Sequence, residues 1–495
     1  MQPGSPELQE LADRLAADDH VQAVERFIAK TDQRALYEAY RGTGSKPYRP
    51  DRLLAIVLVL ILQGIRSPSK WATAAKNDDR CRFVGRGIEP GRTTFYNFRD
   101  RACKFIEAFH TTMIHDAIQS ATIDPSEGCL DGTFVAAAAS RHKMFRLRQV
   151  SRRLSIVKRS TAQLDNPDQV ASRRKLKVIP SWVAKTSKGR QRQLESFRAA
   201  KVKILDEIKV NRGLPSSLRR DEDELKVSPA DFQAVIGKDK LKVTRPLYNI
   251  QYMCDFASDV ILSYQVFLKK NDTGTLIPMI QKTRLIVGDR LSKVHADSGY
   301  CSLLEVSDCR ALHVDLFAPV PDRKGSKGRQ TDSGEPQISA EEFTWDEATS
   351  SLACPAGYSM SRVSRSKDPR ADGRFVIELR YEQEEQKCAG CELAARCLAS
   401  GSKRRTVRRL EQQSVMDEQK QKMAGEAGAR SARNRKMRIE RRYGDSKKHR
   451  GGRELHGRGL SRATAETGLM VVAQNTLTLY PVSYTHLTLP TSDLV

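Results

Sequence analysis

Three carboxylates stand in settings that suit work on phosphodiesters. Asp131 lies in Gly-Cys-Leu-Asp-Gly-Thr-Phe-Val, Asp297 in Ser-Lys-Val-His-Ala-Asp-Ser-Gly-Tyr, and Glu440 in Lys-Met-Arg-Ile-Glu-Arg-Arg-Tyr-Gly. Three acidic side chains from two strands and a helix could hold a pair of divalent metal ions roughly 3.5–4 Å apart, as in-line displacement at a phosphodiester requires. Each alone has a plainer reading. An Asp-Gly-Thr at a strand edge commonly caps a turn. Glu440 has Lys436 at i−4, Tyr443 at i+3 and Lys447 at i+7, which equally suits an exposed, salt-bridged stripe worth little energetically. The functional reading of that face is a metal-binding carboxylate between two lysines that hold DNA phosphates.

Four of the ten cysteines form a second constellation: Cys354, Cys388, Cys391 and Cys397. Cys388 and Cys391 have the spacing of a thiolate pair for tetrahedral zinc. Cys354, in Cys-Pro-Ala-Gly, could add a third ligand from a knuckle-like turn, and Cys397 a fourth. Buried free thiols are the competing reading. Four thiolates leave no open coordination position, so such a zinc would be structural.

The positioning elements follow from hydrophobic periodicity. Residues 292–300 read as a buried strand, with Leu291, Val294 and Ala296 towards a core and Asp297 at the carboxyl edge, where open α/β sheets put ligands. Residues 129–137 read as a strand with Asp131 and Thr133 on one face and Leu130 and Phe134 towards the other. A glycine after an Asp in a strand often marks close backbone approach, by a ligand or by another chain. Residues 248–256 and 260–268 form a hairpin through Ala257-Ser258-Asp259. A helix capped by Asn271-Asp272-Thr273 runs to about residue 285; a helix over 303–312 and a strand over 314–320 follow. That order predicts an α/β core with mixed strand directions.

Before this core, residues 1–45 are amphipathic and helical in pattern. Pro50-Asp51 opens a helix whose apolar run, residues 53–62, suits burial and falls short of the ~20 residues that span a membrane. Ser67-Pro68-Ser69 caps a helix over 70–83. Thr93 or Thr94 would cap a third, over 95–109, with Arg92, Tyr96, Asn97, Arg99 and Arg101 near its start. These helices suit a helix-turn-helix that reads DNA, or equally a plain bundle.

The formal charge of +25 is concentrated in two blocks. Residues 141–220 hold 23 Lys and Arg against 5 Asp and Glu, and residues 401–460 hold 19 against 7. Basic blocks on a near-neutral body predict a polyanion partner, nucleic acid above all; a solvated basic face is the bland alternative. Residues 1–19 are polar and acidic, without the pattern of an export signal, and ten cysteines then argue for reduced thiols or metal ligands in a cytoplasmic protein.

Over roughly residues 48–475 the chain resembles bacterial insertion-sequence transposases of the DDE class. Residues 48–101, with Ser-Pro-Ser and Arg-Thr-Thr, resemble their helical amino-terminal domain. Cys-Leu-Asp-Gly-Thr at 129–133 resembles the first catalytic segment, His-Ala-Asp-Ser-Gly-Tyr at 295–300 the second, and Arg-Ile-Glu-Arg-Arg-Tyr-Gly followed by Lys447 the third. The cysteine insert before the Glu is a feature of one branch.

The resemblance implies an RNase H-like mixed sheet with flanking helices, preceded by an all-helical, helix-turn-helix-like domain and interrupted by basic and cysteine-rich inserts. The expected boundaries are a helical DNA-binding domain at 1–115; a first core segment at 122–320 with a basic helical insert at 141–230; a cysteine-rich insert at 321–405; and a last core segment at 406–478. It implies that Asp131, Asp297 and Glu440 bind two Mg2+ or Mn2+ ions for strand nicking and strand transfer. Lys447 would contact a transposon-end phosphate. The partners implied are double-stranded DNA, as transposon ends and target, and further copies of the chain. Arg433 and Lys436 stand where some relatives have Tyr and Arg, so the resemblance does not carry end-specific contacts over to that helix. A DNA-binding protein without catalysis and a metal-dependent nuclease of the same fold are the alternatives. Residues 481–495, with Ser-Tyr-Thr-His-Leu-Thr-Leu-Pro-Thr-Ser, look like translated sequencing-adapter sequence and are set aside.

Overall fold

The computed structural model describes residues 6–40, 47–165, 178–321, 331, 332, 334, 337–346, 349–370 and 373–481. The set-aside tail, from 482 on, and most of the Lys- and Gly-rich stretch at 322–336 lie outside the described residues. Two compact units divide the chain, Met1–Leu291 with Arg435–Val495, and Ser292–Asn434. The fold is mixed α/β.

In the first unit, the helix Pro50–Leu62 begins with Pro at its first position and Asp51 in its first turn, where a missing N–H costs nothing and a carboxylate meets the positive end of the helix. Its run from Leu53 to Leu62 is apolar on every face and is 0–2% exposed. At about 1.5–3 kcal/mol for each large side chain fully buried, it anchors the unit. Around it pack Asp19–Lys30, Pro68–Asn77, Arg92–Gln119 and Leu460–Leu479, in one core that includes Phe27, Trp71, Phe95, Phe109 and Leu469. Residues from both ends of the chain therefore share this core.

The helix Arg92–Gln119 differs from its expected form at both ends. Its N-cap is Gly91, with no side-chain cap, and Thr93 and Thr94 lie inside the first turn. It runs ten residues past 109 because Met113, Ile114 and Ala117 continue the buried stripe of Phe95, Phe98, Ala102, Phe105, Ile106 and Phe109.

The sheet of this unit comprises β1 (Glu127–Ala136), β2 (Val235–Lys238), β3 (Thr244–Asp255) and β4 (Ile261–Phe267). The long β3 pairs antiparallel with β1 on one edge, and with β2 and then β4 along the other. The β1 register sets Asp131 opposite Tyr252, Gly132 opposite Gln251 and Thr133 opposite Ile250. The expected hairpin is present, turning at Asp259 with φ of 64°. Between β1 and β2 the described residues of the basic block include the helices Leu147–Asp165 and Ser187–Gly213, with a core of their own in which Val150, Leu154 and Val157 meet Leu194, Phe197 and Ile204.

The second unit holds β5 (Lys293–His295) and β6 (Asp315–Phe317), a parallel pair joined through the helix Leu303–Ala311, as parallel strands require a crossover. It also holds a five-stranded antiparallel sheet of β7 (Thr344–Asp346), β8 (Ser351–Ala353), β9 (Ser359–Pro369), β10 (Phe375–Glu382) and β11 (Thr406–Leu410), in the order β11-β10-β9-β8-β7. Both expected strands are shorter than their hydrophobic patterns. β5 stops at His295 because Asp297 turns its side chain back to cap Ser298–Tyr300. Helices Gln413–Ala424 and Glu426–His449 follow, the latter belonging to the first unit from Arg435 onward. Among the described residues no helix is long and apolar enough to cross a membrane.

Candidate active site

Asp131 sits mid-strand on β1, half-buried, with its Oδ1 accepting from the Gly132 N–H at 2.7 Å. Strand alternation puts it on the same face as Thr133 and the opposite face from Gly132. That face is covered by the carboxyl-terminal half of Glu426–His449. Ile439 is fully buried there beside Cys129 and Tyr252. The Tyr443 ring stacks on Tyr252 at 4.8 Å and 13°. The Tyr443 hydroxyl donates to the Asp131 carbonyl at 2.7 Å and lies 3.3 Å from the Ile250 carbonyl.

One turn further on, the Lys447 ammonium donates to Thr133 Oγ1 and lies 3.4 Å from the Phe134 carbonyl. The buried stripe of this helix is Ile439, Tyr443 and Ser446, with Lys447 and Glu440 to one side of it. Glu440 itself is exposed. Burial pulls the Lys447 ammonium down to about 8; Lys240 and Arg453 add to this, while Asp131 and Asp239 oppose it.

The opposite face of β1 holds a polar network that sequence reasoning missed. Gln251 Nε2 donates to Asp272 Oδ1 and to Asn249 Oδ1, both at 2.7 Å, and Asn249 Nδ2 reaches Asp272 Oδ1 at 3.0 Å. Asp272 is spent here, whereas the helix Leu276–Val287 has Thr275 as its N-cap, without a side-chain cap. A Cβ on Gly132 would overlap Gln251 Nε2 and lie 2.7 Å from Asp272 Oδ1. The close approach implied by Asp-Gly is thus made by the protein's own side chains.

Asp297 belongs to the second unit. It is half-buried and accepts from the Gly299 N–H at 2.8 Å, while Tyr300 beside it is fully buried. The preceding His295 bonds Ser431 Oγ at 2.8 Å and stacks on Phe317 at 5.0 Å.

Of the residues expected to meet DNA, Arg92, Asn97 and Arg101 are exposed and Tyr96 is half-buried. Arg92 lies over the Tyr96 ring and Arg101 over Tyr40. Arg99 is turned inward, 6% exposed, over Tyr96 and paired with Asp100 at 2.8 Å. Asp100 in turn takes a bidentate contact from Arg462. Lys436 is on the Glu440 helix, and its side chain lies outside the described residues.

Cys354, Cys388, Cys391 and Cys397 line one pocket with Gln383 and Arg405. All ten cysteines are free thiols. Cys354 begins a tight turn, its carbonyl accepting from Gly357 N at 2.8 Å. Burial pushes the Cys397 thiol up; Arg405 opposes this, while Cys388, Cys354 and Cys391 reinforce it. The four sulfurs are a suitable donor set for zinc but do not form a ready-made cage. Among the described residues no group of three or more His, Cys, Asp or Glu side chains is drawn together as a metal site.

Residues 353–479 match the family model described as Transposase DDE domain. The match covers the stretch that carries Glu440 and Lys447 and supports a transposase of the DDE class. It begins beyond Asp131 and Asp297. No curated protein and no solved structure matches the chain.

Proposed function

We propose that this chain is a DNA transposase that cleaves transposon ends and joins them to target DNA, using Asp131, Asp297 and Glu440. The observation that carries this reading is the clamp of the Glu440 helix on the Asp131 strand through Tyr443 and Lys447, in a chain that matches the transposase DDE domain. Carboxylate oxygens are hard donors suited to Mg2+ or Mn2+. Bound there, two such ions would activate a water and then a freed 3′-hydroxyl, and would stabilise the attacking and leaving oxygens.

The protein's own groups do the positioning. Lys447, tied to Thr133 two residues from Asp131, meets a phosphate of the strand being cut. Tyr443 keeps the helix from sliding along β1. Arg92, Tyr96, Asn97 and Arg101 touch the duplex, Arg99 braces them from inside through Asp100, and Lys436 adds charge beside Glu440. An RNase H-like core, a helix-turn-helix reading head and a homo-oligomer that brings two ends together belong to the same proposal. Cys354, Cys388, Cys391 and Cys397 would hold a structural zinc, a reading supported by their shared pocket.

The test is incubation of purified protein with a labelled duplex carrying the inverted repeats that flank its gene, in Mn2+, beside Asp131→Asn, Asp297→Asn and Glu440→Gln. Cleavage and joining lost in all three variants is the expected result. Full activity in any one removes that residue from the site, and cleavage without joining would make the protein a nuclease. Metal analysis of the purified chain checks the zinc. About one ion per chain, absent from Cys388→Ser/Cys391→Ser, is expected, and none in the wild type discards it.

A further inference from the structure

The segment after the Glu440 helix, Arg450-Gly-Gly-Arg-Glu-Leu-His-Gly-Arg-Gly459, is locked against the end of β1. The Ala136 N–H donates to the Arg453 carbonyl at 3.1 Å, and the Leu455 N–H donates to the Ala136 carbonyl at 2.8 Å, a short parallel bridge centred on Glu454. Its glycines are required by space. A Cβ at Gly451 would lie 2.8 Å from the Gly64 carbonyl, and one at Gly452 would overlap Ser446 Oγ. Gly459, with φ of 87°, donates its N–H to Asp231 Oδ2 at 3.1 Å.

Two arginines on this frame are held in the same way. Arg453 donates Nε to the Lys447 carbonyl at 3.2 Å, and Arg458 donates Nε to the Ala138 carbonyl at 3.1 Å. Both residues are exposed. Among the described residues their Nη groups make no hydrogen bond or ion pair. An arginine fixed through Nε on a carbonyl presents its two Nη atoms as a pre-oriented fork, the geometry that grips a phosphate bidentately. Fixing the guanidinium beforehand also removes part of the ordering cost of binding. Arg450 is not part of this set, since it is spent on Asp445 at 3.0 Å and on the Leu62 carbonyl. Lys447 feels the charges of Lys240 and Arg453 as well as those of Asp131 and Asp239, and Glu454 is the carboxylate of the loop itself.

We propose that this glycine-framed loop is a phosphate clamp for duplex DNA, in which Arg453 and Arg458 grip two backbone phosphates beside the Asp131 strand. The inference rests on the reading of the chain as a DNA-acting protein and adds the residues that hold the duplex against the site. Because both contacts go to phosphate, the clamp carries affinity and register without base preference.

The test measures affinity of the full chain for a duplex of unrelated sequence across a range of salt concentrations. Each phosphate neutralised contributes about 0.9 to the slope of log affinity against log salt, so Arg453→Ala/Arg458→Ala lowers the slope by about 1.8. Arg453→Gln/Arg458→Gln keeps an amide donor for the carbonyls while losing the charge, and gives the same loss with an unchanged melting profile. Arg14→Ala/Arg34→Ala, which removes equal charge from exposed helices elsewhere, leaves the slope as it was. An unchanged slope in the folded loop variants overturns the clamp. So does an equal loss in the control pair, or a wild-type chain that binds no duplex. Absence of cleavage would count against the transposase reading while leaving the slope measurement intact.

Discussion

The hydroxyl of Tyr443 donates to the backbone carbonyl of Asp131 at 2.7 Å, across 312 residues of sequence. This bond and the stacking of Tyr443 on Tyr252 fix where the Glu440 helix stands on β1. Tyr443→Phe keeps the ring and deletes the bond. The expected cost is about 1 kcal/mol in denaturant unfolding, since the Asp131 carbonyl loses its donor. Cleavage is expected to fall while duplex affinity is retained, and equal loss of both would show that the bond serves the fold alone.

Lys447 supplies a pH signature. Its ammonium is drawn down to about 8, so it is cationic at neutral pH and loses its proton as pH rises through that value. The phosphate contact proposed for it is therefore expected below about 8 and to fade above it. For the fold the sign is opposite: a depressed lysine disfavours the folded state while protonated, and stability is regained between about 8 and the ordinary lysine value. Comparison of wild type with Lys447→Gln checks this. The salt slopes for DNA binding are expected to differ by about 0.9 at pH 7 and to converge in more alkaline solution. A difference independent of pH would exclude Lys447 as the titrating contact.

Gly132 admits no side chain beside Gln251 and Asp272. Gly132→Ala forces that buried amide network apart and is expected to cost about 1–3 kcal/mol, as overpacking does. Adding Gln251→Ala should recover part of the loss in a double-mutant cycle. Strict additivity of the two changes, measured by urea unfolding, would mean that the crowding is relieved elsewhere.

Asp51 is 1% exposed, bonded by Tyr37 at 2.8 Å, Arg49 at 2.8 Å and Arg52 at 2.9 Å. Burial pushes its carboxyl up, but the bonds from Arg49 and Tyr37 with the charge of Arg52 outweigh it, so the net shift is downward. Its stabilising contribution is therefore present above the ordinary carboxylate value and lost only as pH falls through the lower folded one. Asp51→Ala removes the acceptor shared by Tyr37, Arg49 and Arg52, while Arg52 keeps Glu25 at 3.1 Å and Arg49 is open to solvent, and it is expected to destabilise by about 1–2 kcal/mol. A change below about 0.5 kcal/mol in urea unfolding would mean that water already satisfies these groups.

Much of the first unit was legible because its residues repeat at the periods of their elements. The run at 53–62 has no polar face and so must be buried. The strand at β1 was legible in the same way, and the hairpin of β3 and β4 as two short runs joined by Ala257-Ser258-Asp259. The five-stranded sheet of the second unit was not legible. β9 exposes ten of its eleven residues, so its sequence alternates nothing that a pattern could detect. The end of Arg92–Gln119 was misjudged by ten residues because the buried stripe continues through polar neighbours. The meaning of Gly132 was half legible: Asp-Gly signalled close approach, but not that Gln251 and Asp272 make it.

Taken by itself, the order of residues determined which side chains have the chemistry for a phosphodiester, which segments are apolar enough to be buried, and where positive charge collects. Those are local properties, set by residue type and by spacing over a few turns. Only tertiary structure decided that Tyr443 and Lys447 meet β1 beside Asp131, that Arg99 faces inward, and that Arg453 and Arg458 stand as anchored forks at the strand's end. Each of these depends on pairing between elements far apart in the chain, where the deciding energies are packing and hydrogen bonds to particular carbonyls, and no local pattern encodes them.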